Sequence, residues 1–279
     1  MLRATISSLC LLLSAVSACQ SQNSILSTSS PKSVAKQVWT QMRNKIVAGQ
    51  ENAENNRSSY SYRVHTHNIA TSISGKPIRS WDFEGVLTQI NGYPVLMIVK
   101  KDGRELTTDE KTKEMQRLDE TIEEANSKTY SYKKQRKYGI EWVKLLSYLS
   151  PISVEQGTEN KRDIDIFTFD DASVAPNQPC RIQGKVWVDR GFGQIIRDDL
   201  LFSSKCPVGS SLLPIIPAGS RNRDDDQLIT LDGTDLYVSK EMYFSYPMKY
   251  LLKKVVFTTD SQFCDYRKFM VTSISRKGQ

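Results

Sequence analysis

The residues able to do chemistry are few. The chain of 279 residues contains two histidines, His65 and His67. They stand two apart in a stretch of alternating polar and apolar character. A strand would carry both on one face, within reach of a single metal ion. Two ligands do not complete a site, and no carboxylate stands at a suggestive spacing. Asp224-Asp225-Asp226 offers the oxygens that calcium prefers. It lacks the glycine and spaced ligands of a calcium loop, and is expected to be a solvated loop. Gly191-Phe192-Gly193 reads as a turn rather than a phosphate cradle, since no helix follows it. Serine is abundant, but without a Gly-x-Ser-x-Gly elbow. The expectation is a non-enzyme with no cofactor and no metal.

Five cysteines remain to be placed. Cys10 lies inside a short apolar run, Leu9 to Val16, that follows the positive charge of Arg3. The run is far shorter than the roughly 20 residues of a membrane-spanning helix. It has the length of a secretory h-region. It ends at Val16-Ser17-Ala18-Cys19, which resembles the lipobox of bacterial lipoproteins. Small residues before the cut suit a peptidase that closes tightly around the chain. The Cys19 thiolate is the nucleophile that takes up diacylglyceryl. The resemblance implies a signal peptide over 1–18, acyl chains such as palmitate on Cys19, and a lipidated tether over 19–31. The tether is serine-rich and glycine-free, with little to bury. Gln20 rather than Asp follows the cysteine. That implies the outer membrane, facing the periplasm, with the inner membrane and cell surface left open. The alternative is an ordinary signal peptide cut after Ala18, with Cys19 incidental.

Cys180 and Cys206 flank an expected hairpin, Gly184–Asp189 and Gln194–Phe202, each four residues outside it. Cross-strand pairing could bring them together as a disulfide in an oxidising compartment. Cys264 then stays free, or takes either partner instead.

Hydrophobic content of 39% with 25% charged residues is ordinary for a water-soluble fold. The length is enough for one large domain or two small ones, and residues 32–279 are taken as a single domain. The formal charge of +7 would suit an anionic surface. Acids stand among the bases, so the reading is a solvated surface, with no nucleic-acid partner.

The elements that must position these residues follow from periodicity. Val34, Val38, Met42 and Ile46 recur at intervals of four beside Trp39, which predicts an amphipathic helix over 32–48. A polar loop is expected over 49–59. Tyr60, Tyr62 and Val64 alternate with polar neighbours. Trp81 and Phe83 begin a second strand that turns at Asn91-Gly92 into Tyr93–Val99. That returning strand is apolar on both faces, hence covered on both. Asp102-Gly103 turns the chain again. Thr107 and Glu110 form a capping box. Met115, Leu118, Ile122 and Ala125 make the stripe of the helix that follows. A shorter helix covers Ile140 to Leu149, ended by Pro151. Strands return at Ile164–Phe169, Gly184–Asp189, Gln194–Phe202, Leu228–Leu231, Asp235–Ser239, Lys254–Thr259 and Tyr266–Ile274, with a hairpin turn at Asp232-Gly233. A long loop is expected over 207–226. The class is α+β with an antiparallel sheet.

Three stretches carry a further resemblance. Phe83-Glu84-Gly85 leads through Asn91-Gly92-Tyr93 into Lys101-Asp102-Gly103-Arg104-Glu105-Leu106-Thr107-Thr108-Asp109-Glu110-Lys111, a turn entering a helix. Gly184-Lys185-Val186-Trp187-Val188-Asp189 continues through Ile195-Ile196-Arg197, a Trp-x-Asp hairpin. Tyr266-Arg267-Lys268-Phe269 sits in the last strand. Together they resemble envelope proteins with the fold of the lipoprotein carriers LolA and LolB and of the sensor RseB. The resemblance covers roughly residues 60–275. It implies a strongly curved antiparallel half-barrel, with about three amphipathic helices covering one face. It further implies a cavity for acyl chains or lipopeptides, and it supplies no shared catalyst. The function expected is a membrane-anchored envelope lipoprotein that binds a hydrophobic ligand, an acyl chain or a lipoprotein. The alternative is a structural or protein-interaction lipoprotein without a cavity.

Overall fold

The computed structural model describes residues 30–57, 59–90, 93–127, 141–173, 178–209, 213–250 and 253–268. Cys10, Cys19, the signal peptide and most of the tether, and the Asn91-Gly92 turn, lie outside them. The first element is a helix, α1 (Pro31–Arg57). Strands β1 (Tyr60–Ser72), β2 (Pro77–Ile90), β3 (Tyr93–Lys101) and β4 (Arg104–Glu105) follow. Two helices come next, α2 (Thr108–Ser127) and α3 (Trp142–Tyr148). The chain then runs through β5 (Ser153–Glu159), β6 (Arg162–Phe169), β7 (Ile182–Asp189) and β8 (Gln194–Phe202). It ends in β9 (Ser220–Leu231), β10 (Thr234–Tyr250) and β11 (Lys253–Lys268).

The strands form one antiparallel sheet, in the order β4-β3-β2-β1-β11-β10-β9-β8-β7-β6-β5. It is open: β4 and β5 are its edges. The first and last strands pair at its middle, from Tyr60↔Lys268 to Ser72↔Val255. Turns at Asp102-Gly103 and Asp232-Gly233 have positive φ at both central residues, 50° and 73°, 50° and 76°. These are the mirror-image turns that match strand twist.

The main core lies under α1 and α3. Trp39 and Ile46 of α1 and Leu145 and Leu146 of α3 meet Phe167, Val186, Val188, Leu200 and Phe202 of the sheet. Trp39 stands edge-on to Phe167 and Phe169, with ring centroids 4.8 and 5.4 Å apart. The buried stripe of α1 is Ala35, Trp39, Ile46, Gln50 and Ala53, while Val34 is exposed. Trp39 is therefore central to the stripe rather than beside it.

The helix also runs on through 49–57, where a loop was expected. The reason is tertiary. A Cβ on Gly49 would come within 2.4 Å of the Gly193 carbonyl oxygen, so α1 presses its backbone against the β7–β8 turn. The Lys45 ammonium donates to the Arg190 carbonyl of the same turn. A stripe continued by small and polar residues docks closely without announcing itself as apolar.

At the other end, α2 guards an edge. Thr107 and Glu110 cap it reciprocally: Glu110 N–H donates to Thr107 Oγ1 at 3.3 Å, and Thr107 N–H to the Glu110 carboxylate at 2.9 Å. The Arg104 guanidinium, with Thr107 N–H, holds the Glu110 pKa down at about 2. Leu118 and Ala125 bury against Ile90 and Val95, but Met115 is exposed. Ile98 N–H donates to Glu114 at 2.7 Å, and Arg117 donates to the Leu96 carbonyl. These side chains satisfy backbone groups that face away from β2 and would otherwise invite another strand.

Three other expectations change. The loop expected over 207–226 stops short of its last seven residues, which are strand. Val208 and Ile216 fill the core, Cys206 bridges Ile216, and β9 begins at Ser220. Its charges pair across strands, Arg221 with Asp199 at 2.8 Å and Asp225 with Arg197 at 2.8 Å, which is how so polar a stretch lies in a sheet. The strands expected at Lys254–Thr259 and Tyr266–Ile274 are one strand as far as Lys268, bulged at Asp265 with φ 54°. Residues 269–274 lie outside the described residues. β5 is too polar to announce itself, and is held by pairing to β6 and by Val154 against the core.

Candidate ligand-binding face

Register aligns one face of the four central strands. Trp81, Asn68, Thr259 and Phe244 lie in one row across β2, β1, β11 and β10. Phe83, Thr66, Ser261 and Met242 form the next row, and it continues through Asp224 to Asp198. On the other side, Phe257 and Tyr246 sit in the row of Ala70. The face is the one that carries Leu200 beneath α1, since Phe244 pairs with Asn222 and Asn222 with Leu200.

Along it runs an aromatic series. Trp81 and Phe257 have centroids 5.5 Å apart, Phe257 and Tyr246 5.4 Å, Tyr246 and Phe244 5.4 Å. All four are half-buried. Between them the polar groups are already paired. Thr66 and Ser261 hydroxyls hydrogen-bond at 2.9 Å, and the Thr259 hydroxyl donates to the Asn68 side-chain oxygen at 3.0 Å. Such a surface offers contact area and few unmet polar demands, the character of sites that take apolar ligands.

The face ends on an acidic group. Asp198 is fully buried, and burial pushes its carboxyl well above the ordinary range. Asp224, Asp226 and Asp199 push the same way, against the Asn222 amide that donates to Asp198 at 2.8 Å. Gln194 donates to Asp226 at 3.2 Å. The Asp224-Asp225-Asp226 run therefore sits in β9, with Asp224 and Asp225 paired on both sides and Asp226 to β10, and not in a solvated loop.

A second buried carboxylate anchors the Trp-x-Asp hairpin. Asp189 receives the Arg162 guanidinium, Phe192 N–H at 2.9 Å and the Tyr237 hydroxyl at 3.1 Å. Burial works to raise its pKa, but these donors outweigh it and hold it below the usual value. Burial and the Asp189 charge raise the Tyr237 pKa. Arg162 also lies 4.2 Å over the Phe192 ring. The Gly191-Phe192-Gly193 turn is thus a docking platform for α1. Gly193, with φ 68°, faces the Lys45 backbone. In the same hairpin Arg197 lies over Trp187 at 5.6 Å.

The other candidate residues are dispersed. Cys180 and Cys206 form a disulfide with Cα atoms 4.6 Å apart, within the main core. Cys264 is a free, exposed thiol whose pKa is raised by partial burial and by Asp265. His65 and His67 are exposed on the opposite face to Thr66 and Asn68. Among the described residues no three of His, Cys, Asp and Glu come together as a metal shell. The aromatic series is not legible in the sequence because Trp81 lies on β2, far along the chain from β10 and β11. The signal that was present is the alternation Phe244-x-Tyr246, facing Phe257 on the strand that follows.

No family model matches the chain, and no curated protein matches it. Among solved structures it is similar to a DUF1329 family protein from Desulfovibrio piger, at 10% identity over 88% of this chain and 96% of that one, with a TM-score of 0.31. It is also similar to MucB in complex with MucA(peri), at 10% identity over 84% and 99%, with a TM-score of 0.22. A third is the MucA/MucB complex of Pseudomonas aeruginosa, at 10% identity over 80% and 98%, with a TM-score of 0.22. At these scores the function is read from the site's own residues. No helix among the described residues is long and apolar enough to cross a membrane.

Proposed function

We propose that this is a non-catalytic envelope protein, anchored by lipid on Cys19 at the outer membrane, that binds an acyl chain or lipopeptide on the aromatic face of a curved half-barrel. The observation that carries the reading is the half-buried series Trp81, Phe257, Tyr246 and Phe244, laid beside hydroxyl pairs that already satisfy one another. Aromatic rings supply apolar area, and a chain of methylenes gains about 0.8 kcal/mol for each one buried.

The test is a titration of the protein, stripped of bound lipid, with a fluorescent fatty acid. Saturable binding is expected, with Trp81→Ala and Phe257→Ala each weakening it about tenfold. Absence of saturable binding, or binding by both variants as tight as by the parent, overturns the reading. The anchor has a separate test: Cys19→Ser should leave the membrane fraction.

A second reading, a protein-interaction module, draws on β5. Among the described residues this edge strand has a sheet partner only on its β6 side. An extended segment of another protein could add there.

A further inference from the structure

One end of the sheet projects beyond the rest. β3 reaches only Lys101, opposite Phe83, and β9 pairs with β10 only as far as Ser245. Beyond those points β2, β1, β11 and β10 continue as a four-stranded tongue. The β1–β2 and β10–β11 tips lie side by side, since Ser72 pairs with Val255 and Val255 with Met248.

The composition of this tip departs from the rest of the surface. Residues 70–79 and 246–257 contain five cations, Lys76, Arg79, Lys249, Lys253 and Lys254, and no acid. All five are exposed. None forms an ion pair among the described residues. The chain as a whole mixes 38 basic with 31 acidic residues, so an acid-free pair of adjacent hairpins is a local concentration of charge. The same tip exposes apolar side chains: Ile73 at 68%, Ile78 at 50% and Met248 at 36%. Behind them Arg79 lies 5.1 Å over the Trp81 ring, which places an amphipathic aromatic one layer back.

Exposed apolar side chains ringed by cations, with an indole behind, are complementary to one kind of surface. An anionic bilayer accepts the apolar groups at its acyl boundary, attracts the ammonium groups to its phosphates, and seats the indole among its headgroups. A protein partner would be expected to set acids or hydrogen-bonding groups against defined positions. Here the cations ride on long flexible stems around apolar tips.

We infer that Ile73, Lys76 and Ile78 of the β1–β2 hairpin, with Lys249, Lys253 and Lys254 of β10 and β11, form a membrane-docking edge that seats the tongue on anionic lipid. This contact is additional to the N-terminal lipid. It would bring the open face beside the membrane from which an acyl chain would come.

The experiment uses the full chain carrying Cys19→Ser, so that no acyl anchor contributes, and any effect of the N-terminal segment is common to every variant. Co-flotation is measured with phosphatidylcholine vesicles, with and without phosphatidylglycerol. Binding should need the anionic lipid and weaken with salt. Each lysine near the surface contributes about fivefold, so replacing Lys249, Lys253 and Lys254 together by Gln should cost about a hundredfold. Ile73→Ser with Ile78→Ser should cost about tenfold. Lipids brominated on the acyl chain should quench Trp81, and Trp81→Phe should remove that quenching. Equal binding to both vesicle types, or no loss in either set of tip variants, overturns the inference. Fatty-acid binding in the absence of vesicles reads the aromatic face separately, so either result can fail while the other stands.

Discussion

The covered and open halves of this sheet are built on different principles. From β5 to β8 the strands are short, and α1 and α3 lie across them. Phe167, Val186, Val188, Leu200 and Phe202 there are fully buried. A disulfide and two buried aspartates, Asp165 and Asp189, each paired to an arginine, close that region. From β10 through β11 and β1 to β2 the strands are long. Trp81, Phe244, Tyr246 and Phe257 there are half-buried, and beside them Thr66 pairs with Ser261 and Thr259 with Asn68, without charge. The contrast teaches a division of labour. Stability resides where the helices lie, which leaves the other half free to carry surface that folding does not need.

Substitutions of one type on the two halves should break that comparison if it is wrong. Phe167→Ala is expected to cost about 4 kcal/mol by urea unfolding, as a full cavity in a dry core does. Phe257→Ala should cost about half as much or less, because its ring is already part-exposed, while reducing ligand binding. Comparable stability losses would abolish the distinction.

The disulfide offers a second probe. Cys180→Ala with Cys206→Ala closes no loop in the unfolded chain, and should lower stability by about 3 kcal/mol. The loss should vanish in comparisons made under reducing conditions.

Asp189 and a third buried aspartate, Asp198, sharpen the picture through opposite signs of pH dependence. The pKa of Asp189 is depressed in the folded state, so its contribution is present above the unfolded value and is lost as pH falls. Asp189→Asn should therefore cost about 3 kcal/mol at neutral pH and make the acid limb of the stability curve shallower. The pKa of Asp198 is raised, so its contribution is present below the unfolded value and is lost as pH rises through the folded one. Asp198→Asn should raise stability at neutral pH and flatten the curve above the carboxylate range. Thermal melts across pH check both.

The smallest effect concerns the guarded edge. Thr107→Ala removes a cap and should cost about 1 kcal/mol. Hydrogen exchange at Ile98 N–H, which donates to Glu114, should rise with it.

Much of the secondary structure was legible in the sequence where the signal is local. The turns at Asp102-Gly103 and Asp232-Gly233, the Thr107–Glu110 box and the strand Gln194–Phe202 rest on neighbouring residues alone. What escaped was set by partners far along the chain. The C-terminal part of α1 is held by a turn some 140 residues later, Gly49 against Gly193. Ser220–Asp226 looks like a solvated loop until Asp199 and Arg197 are placed opposite it. The candidate site was legible least of all. Trp81, Tyr246 and Phe257 are unremarkable in sequence and become a series only when β1 and β11 meet.

That meeting has a kinetic consequence. Strand order is the order of synthesis rotated: with β1 beside β11, the sheet is a plain meander whose natural ends, β4 and β5, are joined by α2 and α3. Tyr60 and Lys268 pair across the seam. A circular permutant that links the residues beyond them and opens the chain between α2 and α3 would make every strand contact sequential. It should fold faster than the parent, because contacts of short sequence separation close first. In the natural order the seam is the last contact to become possible. Until β11 arrives the two meanders, β1–β4 and β5–β10, have no strand to join them, and the aromatic series has no place to assemble.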